Sequence, residues 1–435
     1  MARFSQLQDW LDWQENAHWP RIDPGLVRAG SVLQKMELTQ PPFLVITVSG
    51  TNGKGSTVAM LENILVIAGY KVGSYTSPHL FRYNERIKLQ GIPVTDEVIC
   101  DSFDRIDKAR QNTSLSYFEF GTVAAIDIFH REKIDIALLE VGLGGRLDAV
   151  NAIDPDIGIV TTVDLDHIHI LGNTREEIGL EKAGIFRPNQ FAICGDFDPP
   201  QSLIKRAKEL NTSFYQAGED YHYYITQQDW SWESKHMQYA HLPHPNLKGI
   251  YQYQNAASVL MALEIINDRL PTSEESISKG LESIALLGRF QQVTGAVDQI
   301  FDVSHNPQGA QLLAQSLDQY PIQGRTYAVF SMLADKDIEG TVALLKNHIH
   351  TWFLGGLMEE RGLAEEALFW RINSIIDPQK IRLCSTIPMA YLQAIRHARP
   401  GDRILAFGSF HTVEEAMREA GLATDRNYID KIQDF

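Results

Sequence analysis

The sequence predicts an α/β protein of two domains, a doubly wound parallel-sheet domain followed by a smaller α/β domain. Two observations on pattern point there: short apolar runs bounded by Gly, Pro or polar residues alternate with helical stretches, and several of those runs end in chemically active side chains. A third is length, since 435 residues exceed what one hydrophobic core usually organises.

The first run is "FLVITV", Phe43 to Val48, and it leads into "VSGTNGKGST". That loop departs from G-x-x-x-x-G-K-[ST], because Val48 stands where the first Gly would be and Gly55 follows Lys54. "STVAMLENILVIAGY" then carries apolar residues at helical spacing up to Gly69. A tight turn that binds nothing is the bland alternative. Strand, Gly-rich loop and helix in this order favour phosphate binding, with backbone N–H groups closing on the phosphates and Lys54 reaching the terminal ones. The first domain is therefore expected to be P-loop ATPase-like, with Ser56 and Thr57 as the available hydroxyls.

Later runs also end in polar groups: "KVGSYTSPH" at Ser77 and His79, "IDIALLEVGLGG" at Glu140, "DIGIVTTVDLDH" at Asp164, Asp166 and His167, and "FAICGDF" at Asp196. Ligands of open parallel sheets lie outside the carboxyl ends of the strands, so Lys54, Ser77, Glu140 and His167 are expected to face one crevice. A strand-tip carboxylate such as Glu140, beside a phosphate loop, suits Mg²⁺; by itself it would as readily be solvated. His167, alone, would read as a satisfied loop histidine, and its strand-end place suggests metal or phosphate contact. Lys182, in "GLEKAGIFRP", sits in a short helix where a charge is usually a solvated face.

After Gly195 the texture changes. "YHYYITQQDWSWESKHMQY" reads as a small antiparallel ribbon whose Tyr and Trp residues serve packing, and "GIYQYQNAASVLMALEII" returns to helical spacing. The boundary is placed so that residues 1–288 form the first domain and 289–435 a Rossmann-like second one. The latter contains "QIFDVSHNP", a helix from Gln308, "TYAVFSML", "HTWFLGG" and "DRILAFGSFHT". Arg289, Asp302 and His305 fall near this junction, where ligands often bind.

Bulk charge limits the partners. With 39 basic and 55 acidic residues the formal charge is −16, which argues against nucleic acid or an anionic membrane as the main partner. "MARFSQLQDWLDWQENAHWP" has neither the basic start nor the apolar run of a signal peptide or membrane span, so a cytoplasmic location is expected. Cys100, Cys194 and Cys384 are few and widely spaced, which disfavours disulfides and a zinc site.

Over almost the whole chain the sequence resembles the dihydrofolate synthase and folylpolyglutamate synthase family, relatives of the Mur ligases. The matching stretches are "SGTNGKGST", "YTSPHLFRYNERI", "YFEFGTVAAIDIF", "LEVGLGGRLDAVN", "DHIHILGNTREEIGLEKAGIFRP", "GRFQ", "DVSHNP", "SMLADKDI" and "FGSFHTVEEAM", in that order. The resemblance implies that Gly53, Lys54, Gly55, Ser56 and Thr57 bind ATP, with Asn255, Arg289 and Asp302 on the nucleotide. It implies that Ser77, Glu140 and His167 hold Mg²⁺, with two metal sites, and that Lys182 is carbamylated, making Lys54, Lys182 and His167 the catalytic group. Ile22, Asp23, Pro24 and Gly25, then Ser116, Tyr117, Phe118 and Glu119, then Leu147, Asp148 and Ala149 match segments around a pterin-bearing substrate, and His305 lies near the glutamate site. Two residues depart from the family pattern: Tyr251 stands where His is frequent, and Leu287 where Pro is common.

The implied activity is that of the bacterial bifunctional type. It adds L-glutamate to dihydropteroate and to reduced folates through an acyl phosphate, as a monomer acting on small molecules. The rival readings are a Mur-type ligase of cell-wall precursors and a P-loop nucleotide switch or ATPase that joins nothing.

Overall fold

The computed structural model describes residues 2–18, 24–359 and 361–422. It divides into two compact units: Met1–Pro245 with Tyr253–Ile284, and Asn246–Gln252 with Ala285–Phe435. The second unit thus begins ahead of residue 289. Its entry turn is tied to its own sheet, because Gly288 N–H donates to Gln291 Oε1 (3.1 Å) and Val303 N–H to Gly288 O (2.9 Å).

The first unit is built on β1 (Leu44–Ser49), β2 (Val72–Tyr75), β3 (Ile87–Leu89), β4 (Ile92–Pro93), β5 (Ile136–Glu140), β6 (Ile157–Val160), β7 (Phe191–Cys194) and β8 (Ser213–Gln216). They form one sheet in the order β4-β3-β2-β5-β1-β6-β7-β8. β1, β5 and β6 are buried along their whole length, as strands covered on both faces must be. The chain leaves β1, crosses to β2 beyond β5, and after β5 crosses back to β6 on the far side of β1. The carboxyl ends of β5, β1 and β6 therefore stand side by side at the switch point, where open α/β sheets bind ligands.

The sheet is mixed rather than wholly parallel, since β3 pairs antiparallel with both β2 and β4. Only Gln90 (φ 54°) and Gly91 (φ 76°) join β3 to β4, and a two-residue loop with both residues at positive φ closes a hairpin. A separate antiparallel ribbon holds β9 (Tyr221–Ile225), β10 (Trp230–Ser234) and β11 (Gln238–Leu242). Its aromatics do pack inward: Trp230 and Trp232 are buried, and the Trp232 indole donates to Ala257 O (3.1 Å) in the helix Tyr251–Ile266.

The second unit has β12 (Gln291–Val293), β13 (Asp298–Asp302), β14 (Thr326–Phe330), β15 (Thr351–Gly355), β16 (Ile381–Cys384) and β17 (Arg403–Phe407) in the order β12-β13-β17-β14-β15-β16. All neighbours are parallel except β12 and β13, whose short connection permits only a hairpin. Phe330, Trp352 and Phe407 meet in its core, with ring centroids 4.9–6.0 Å apart. Among the described residues no helix is long and apolar enough to cross a membrane.

The helix Lys54–Ile67 that follows the Gly-rich loop packs closely on the helix Glu274–Ser283. A Cβ on Gly280 would lie 2.8 Å from Ile64 Cα, and Asn63 Nδ2 donates to Gly280 O at 2.7 Å. Backbone cannot yield as a side-chain tip can. Gly280→Ala is therefore expected to destabilise the fold by about 1–3 kcal/mol, read as a lowered denaturant midpoint.

Candidate active site

Register brings the first chemical groups together. Val48, at the end of β1, pairs with Glu140 at the end of β5 and with Ile159 in β6, so the loop leaves the sheet beside that carboxylate. Gly53 caps the following helix in the left-handed region (φ 90°), and a Cβ there would lie 2.5 Å from Asn255 Oδ1. Asn255 thus reaches the loop from the helix Tyr251–Ile266. β6 stops at Val160, earlier than its apolar pattern suggests, and the segment from Thr161 to Asp164 clasps the loop. Thr161 Oγ1 donates to Asn52 O (2.6 Å), Asn52 N–H donates to Thr162 Oγ1 (3.1 Å), and Thr51 Oγ1 donates to Asp164 O (3.1 Å). Sequence reasoning misses the two threonines, because "VTT" reads as continuing strand.

Lys54 Nζ donates to Gly50 O (2.9 Å) and Thr51 O (3.3 Å), while Thr57 Oγ1 donates to Gly53 O (3.0 Å). Ser56 and Thr57 are buried in the helix start. Glu140 is 4 % exposed and its Oε2 accepts the Ser77 N–H at 3.1 Å, joining two of the three expected metal ligands. His167 holds a left-handed backbone (φ 50°), with its N–H donated to Asp166 Oδ1 at 2.8 Å.

Lys182 is not on a solvated face. It ends the helix Arg175–Lys182 at 3 % exposure, and burial together with the Lys54 cation pushes its ammonium down to about 7, against the opposing pull of Asp166. Lys54, Lys182 and Asp166 therefore share one electrostatic environment.

Among the described residues no three His, Cys, Asp or Glu side chains are grouped as a metal cage. The expected ligands Glu140, Ser77 and His167 offer one carboxylate, one hydroxyl and one imidazole, and the structure joins the first two. That set fits a small hard cation which keeps several waters and takes its remaining ligands from phosphates, as Mg²⁺ does.

Of the expected pterin segments, Ile22 and Asp23 lie outside the described residues. Pro24 and Gly25 precede the helix Val27–Lys35, which packs on both the helix Tyr117–Glu132 and the short turn Ala149–Ala152, so the three segments converge. Ser116 caps its helix by accepting the Glu119 N–H, and Glu119 returns a carboxylate to the Ser116 N–H at 2.7 Å. The Glu119 carboxylate also accepts from Arg28 Nε (3.1 Å), a partner the sequence did not reveal. Asp148 accepts from the Leu143 and Val150 N–H groups (2.8 and 3.0 Å). Burial nevertheless outweighs those bonds and the Lys54 cation, raising its carboxyl to about 7. Tyr117, Phe118 and Leu147 are half-buried around these groups and Ala149 is buried.

In the second unit Asp302 ends β13 and accepts the Phe290 N–H (2.7 Å) and the Ser304 N–H (2.9 Å). It thereby holds the turn bearing Arg289, whose guanidinium lies 5.3 Å from the Phe410 ring centre. Tyr251, the departure from the family pattern, has its phenol raised well above the ordinary value by burial and then by Asp302, with Arg289 opposing. His305 Nδ1 lies 2.9 Å from Val303 O.

Comparison with known proteins gives the family. Residues 48–263 match the Mur ligase middle domain and 288–410 the Mur ligase, glutamate ligase domain. The chain is 41 % identical over 413 residues to the dihydrofolate synthase/folylpolyglutamate synthase of Escherichia coli (strain K12), covering 95 % of each. The chain belongs to the dihydrofolate synthase/folylpolyglutamate synthase family. The Haemophilus influenzae member is 37 % identical, over 94 % of this chain and 97 % of that one. Among solved structures, E. coli FolC in complex with DHPP and ADP superposes with a TM-score of 0.91 at 41 % identity, covering 96 % of this chain and 98 % of that one. A bifunctional folylpolyglutamate synthase/dihydrofolate synthase with Mn, AMPPNP and L-glutamate bound gives a TM-score of 0.89 at 40 % identity, with the same coverage. Like the family, this chain is an ATP-dependent ligase.

The loop geometry makes one substitution informative for this family member. Gly53→Ala places a Cβ at positive φ against Asn255, so nucleotide affinity is expected to fall at least tenfold, as isothermal calorimetry with ADP would register. Unchanged affinity would remove Gly53 from the nucleotide site.

Proposed function

We infer that this ligase adds L-glutamate to dihydropteroate, making dihydrofolate, and to reduced folates, making folylpolyglutamates. The observation that carries the reading is a buried Lys182 sharing its environment with Lys54 of the phosphate loop, in a chain that matches 95 % of a folate-ligase relative. We assign the nucleotide phosphates to Gly53, Lys54, Gly55, Ser56 and Thr57, the nucleotide's further contacts to Asn255, Arg289 and Asp302, and glutamate to the neighbourhood of His305. Pro24, Gly25, Ser116–Glu119 and Leu147–Ala149 receive the pterin. We place the enzyme in the cytoplasm as a monomer on small molecules, without nucleic acid or membrane.

A carboxylate is a poor electrophile toward an amine. Its oxygen attacks the γ-phosphorus of ATP, the bond to the β-phosphate oxygen breaks, and ADP leaves behind an acyl phosphate. The amine of glutamate then attacks the acyl carbon, phosphate departs, and the amine proton passes to phosphate or water. Both reactants of the first step are anionic, so Lys54, released from its loop carbonyls, neutralises charge that builds between them. Glu140, Ser77 and His167 would hold Mg²⁺, which would neutralise the phosphates further.

Lys182 completes the site as a carbamate. With its amine near 7, a large neutral fraction exists at physiological pH, and the free lone pair attacks CO₂ with loss of a proton. A cation that would repel Lys54 and a metal ion becomes an anion with two hard oxygens, able to hold a second Mg²⁺. The sign follows from a lowered amine: below pH 7 the ammonium dominates and carbamylation is lost.

Three measurements check this reading. ATP turnover is expected only with dihydropteroate and glutamate both present; turnover with ATP alone would indicate a nucleotide switch, and a need for a cell-wall precursor a Mur-type ligase. Glu140→Gln and Arg289→Ala are each expected to lower kcat/KM at least tenfold with the melting temperature nearly kept, the first most strongly at limiting Mg²⁺. Lys182→Ala is expected to lose activity, with partial rescue by added acetate or formate, and the unmodified enzyme to lose activity below pH 7 faster in CO₂-depleted buffer. Full activity of Lys182→Ala without any carboxylate would defeat the carbamate.

A further inference from the structure

The helix Leu7–Ala17 buries Leu7, Trp10, Leu11 and Gln14 along one stripe. The first three are apolar, as a core-facing stripe demands. Gln14 is not, and at 1 % exposure neither its Oε1 nor its Nε2 has a hydrogen-bond partner. Orphaned buried amide atoms cost about 1–3 kcal/mol each, so a leucine at this position would serve the fold better. A polar group kept at such a cost calls for a ligand that satisfies it.

Its surroundings identify that ligand. The end of the helix lies against the segment assigned to the pterin: Trp13 meets Phe120 edge-on at 5.7 Å, and His18 Nδ1 is 2.8 Å from Ser114 Oγ. These contacts bracket Ser116–Glu119 on both sides. A second orphan lies beside that segment, since the buried hydroxyl of Tyr83 also lacks a partner while its ring lies 5.5 Å from that of Tyr117. Pro24 and Gly25 come a few residues after the helix.

We propose that Gln14 is a specificity-determining residue for the pterin-bearing substrate, its carboxamide pairing with the amino- and oxo-substituted edge of the heterocycle. The inference rests on the folate-ligase reading above. A carboxamide offers one acceptor and two donors side by side, which complements an edge presenting an exocyclic N–H₂ beside a ring nitrogen and a carbonyl. In the ligand-free chain the amide is covered, so its pairing with the edge requires the side chains over it to move aside. A site built on such pairing rejects an analogue that lacks the matching group, because its own polar atoms are then left unpaired.

The test uses the full chain with Gln14→Leu, and Gln14→Met should the branched side chain prevent folding. For each, KM for dihydropteroate, KM for ATP, kcat and the melting temperature are measured. So is the preference for dihydropteroate over its 4-amino analogue. The expected result is a KM for dihydropteroate raised about tenfold, KM for ATP and kcat within twofold, a narrowed oxo-over-amino preference, and a melting temperature equal or higher. A higher melting temperature with KM for dihydropteroate and the oxo-over-amino preference both unchanged overturns the proposal and leaves Gln14 an unsatisfied core amide. Absence of dihydropteroate-dependent turnover by the unmodified chain would instead overturn the function reading and this inference with it.

Discussion

The hydrogen bonds between the end of β6 and the Gly-rich loop are the constraint on which the rest of the first unit depends. A loop that presents N–H groups to phosphates has few to spare for holding itself, and this one uses those of Thr51 and Asn52 on Thr162. Here the anchoring falls to the threonine hydroxyls at 161 and 162, which bond Asn52, and to Thr51, which bonds the chain at Asp164. That arrangement is possible only because β1 lies between β5 and β6. The parallel order puts Glu140 on one flank of the loop and the threonine pair on the other.

The same crevice carries an electrostatic conflict. Two lysines share it, one on the loop and one fully buried, and burial alone would make a second ammonium costly. The fold offers Asp166 as partial compensation and leaves the Lys182 amine close to neutrality. Lys54 meanwhile rests on the carbonyls of Gly50 and Thr51, polar partners that carry no full charge and yield readily to a phosphate.

Much of this was legible in the sequence, for identifiable reasons. Apolar runs ending in Gly, Glu or His marked β1, β5 and β6 because period and punctuation are local properties. The antiparallel edge at β3 and β4 was not seen, since a strand of two or three residues has too little pattern to register. Lys182 showed the limit most sharply. One charge near the end of a short helix looks solvated, and the close packing of Gly145 against the end of that helix is not visible in the sequence. Arg28 and the two threonines escaped for the same reason, because their partners are distant in the chain: Glu119 lies 91 residues from Arg28.

Three acids drawn from the family motifs illustrate how a chemical motif and a structural one can be the same residue. Glu119 closes the cap of its helix and holds Arg28, Asp148 gathers the N–H groups of the Gly-rich turn and the turn after it, and Asp302 ties Phe290 and Ser304 to the end of β13. Each carboxylate commits its oxygens to backbone first. Phe290 sits at positive φ (45°), where a bulky residue is strained, and the bond to Asp302 is what keeps Arg289 aimed from that turn. Acids carried by functional motifs in this fold therefore also act structurally: each fixes the turn or helix start that carries its neighbours.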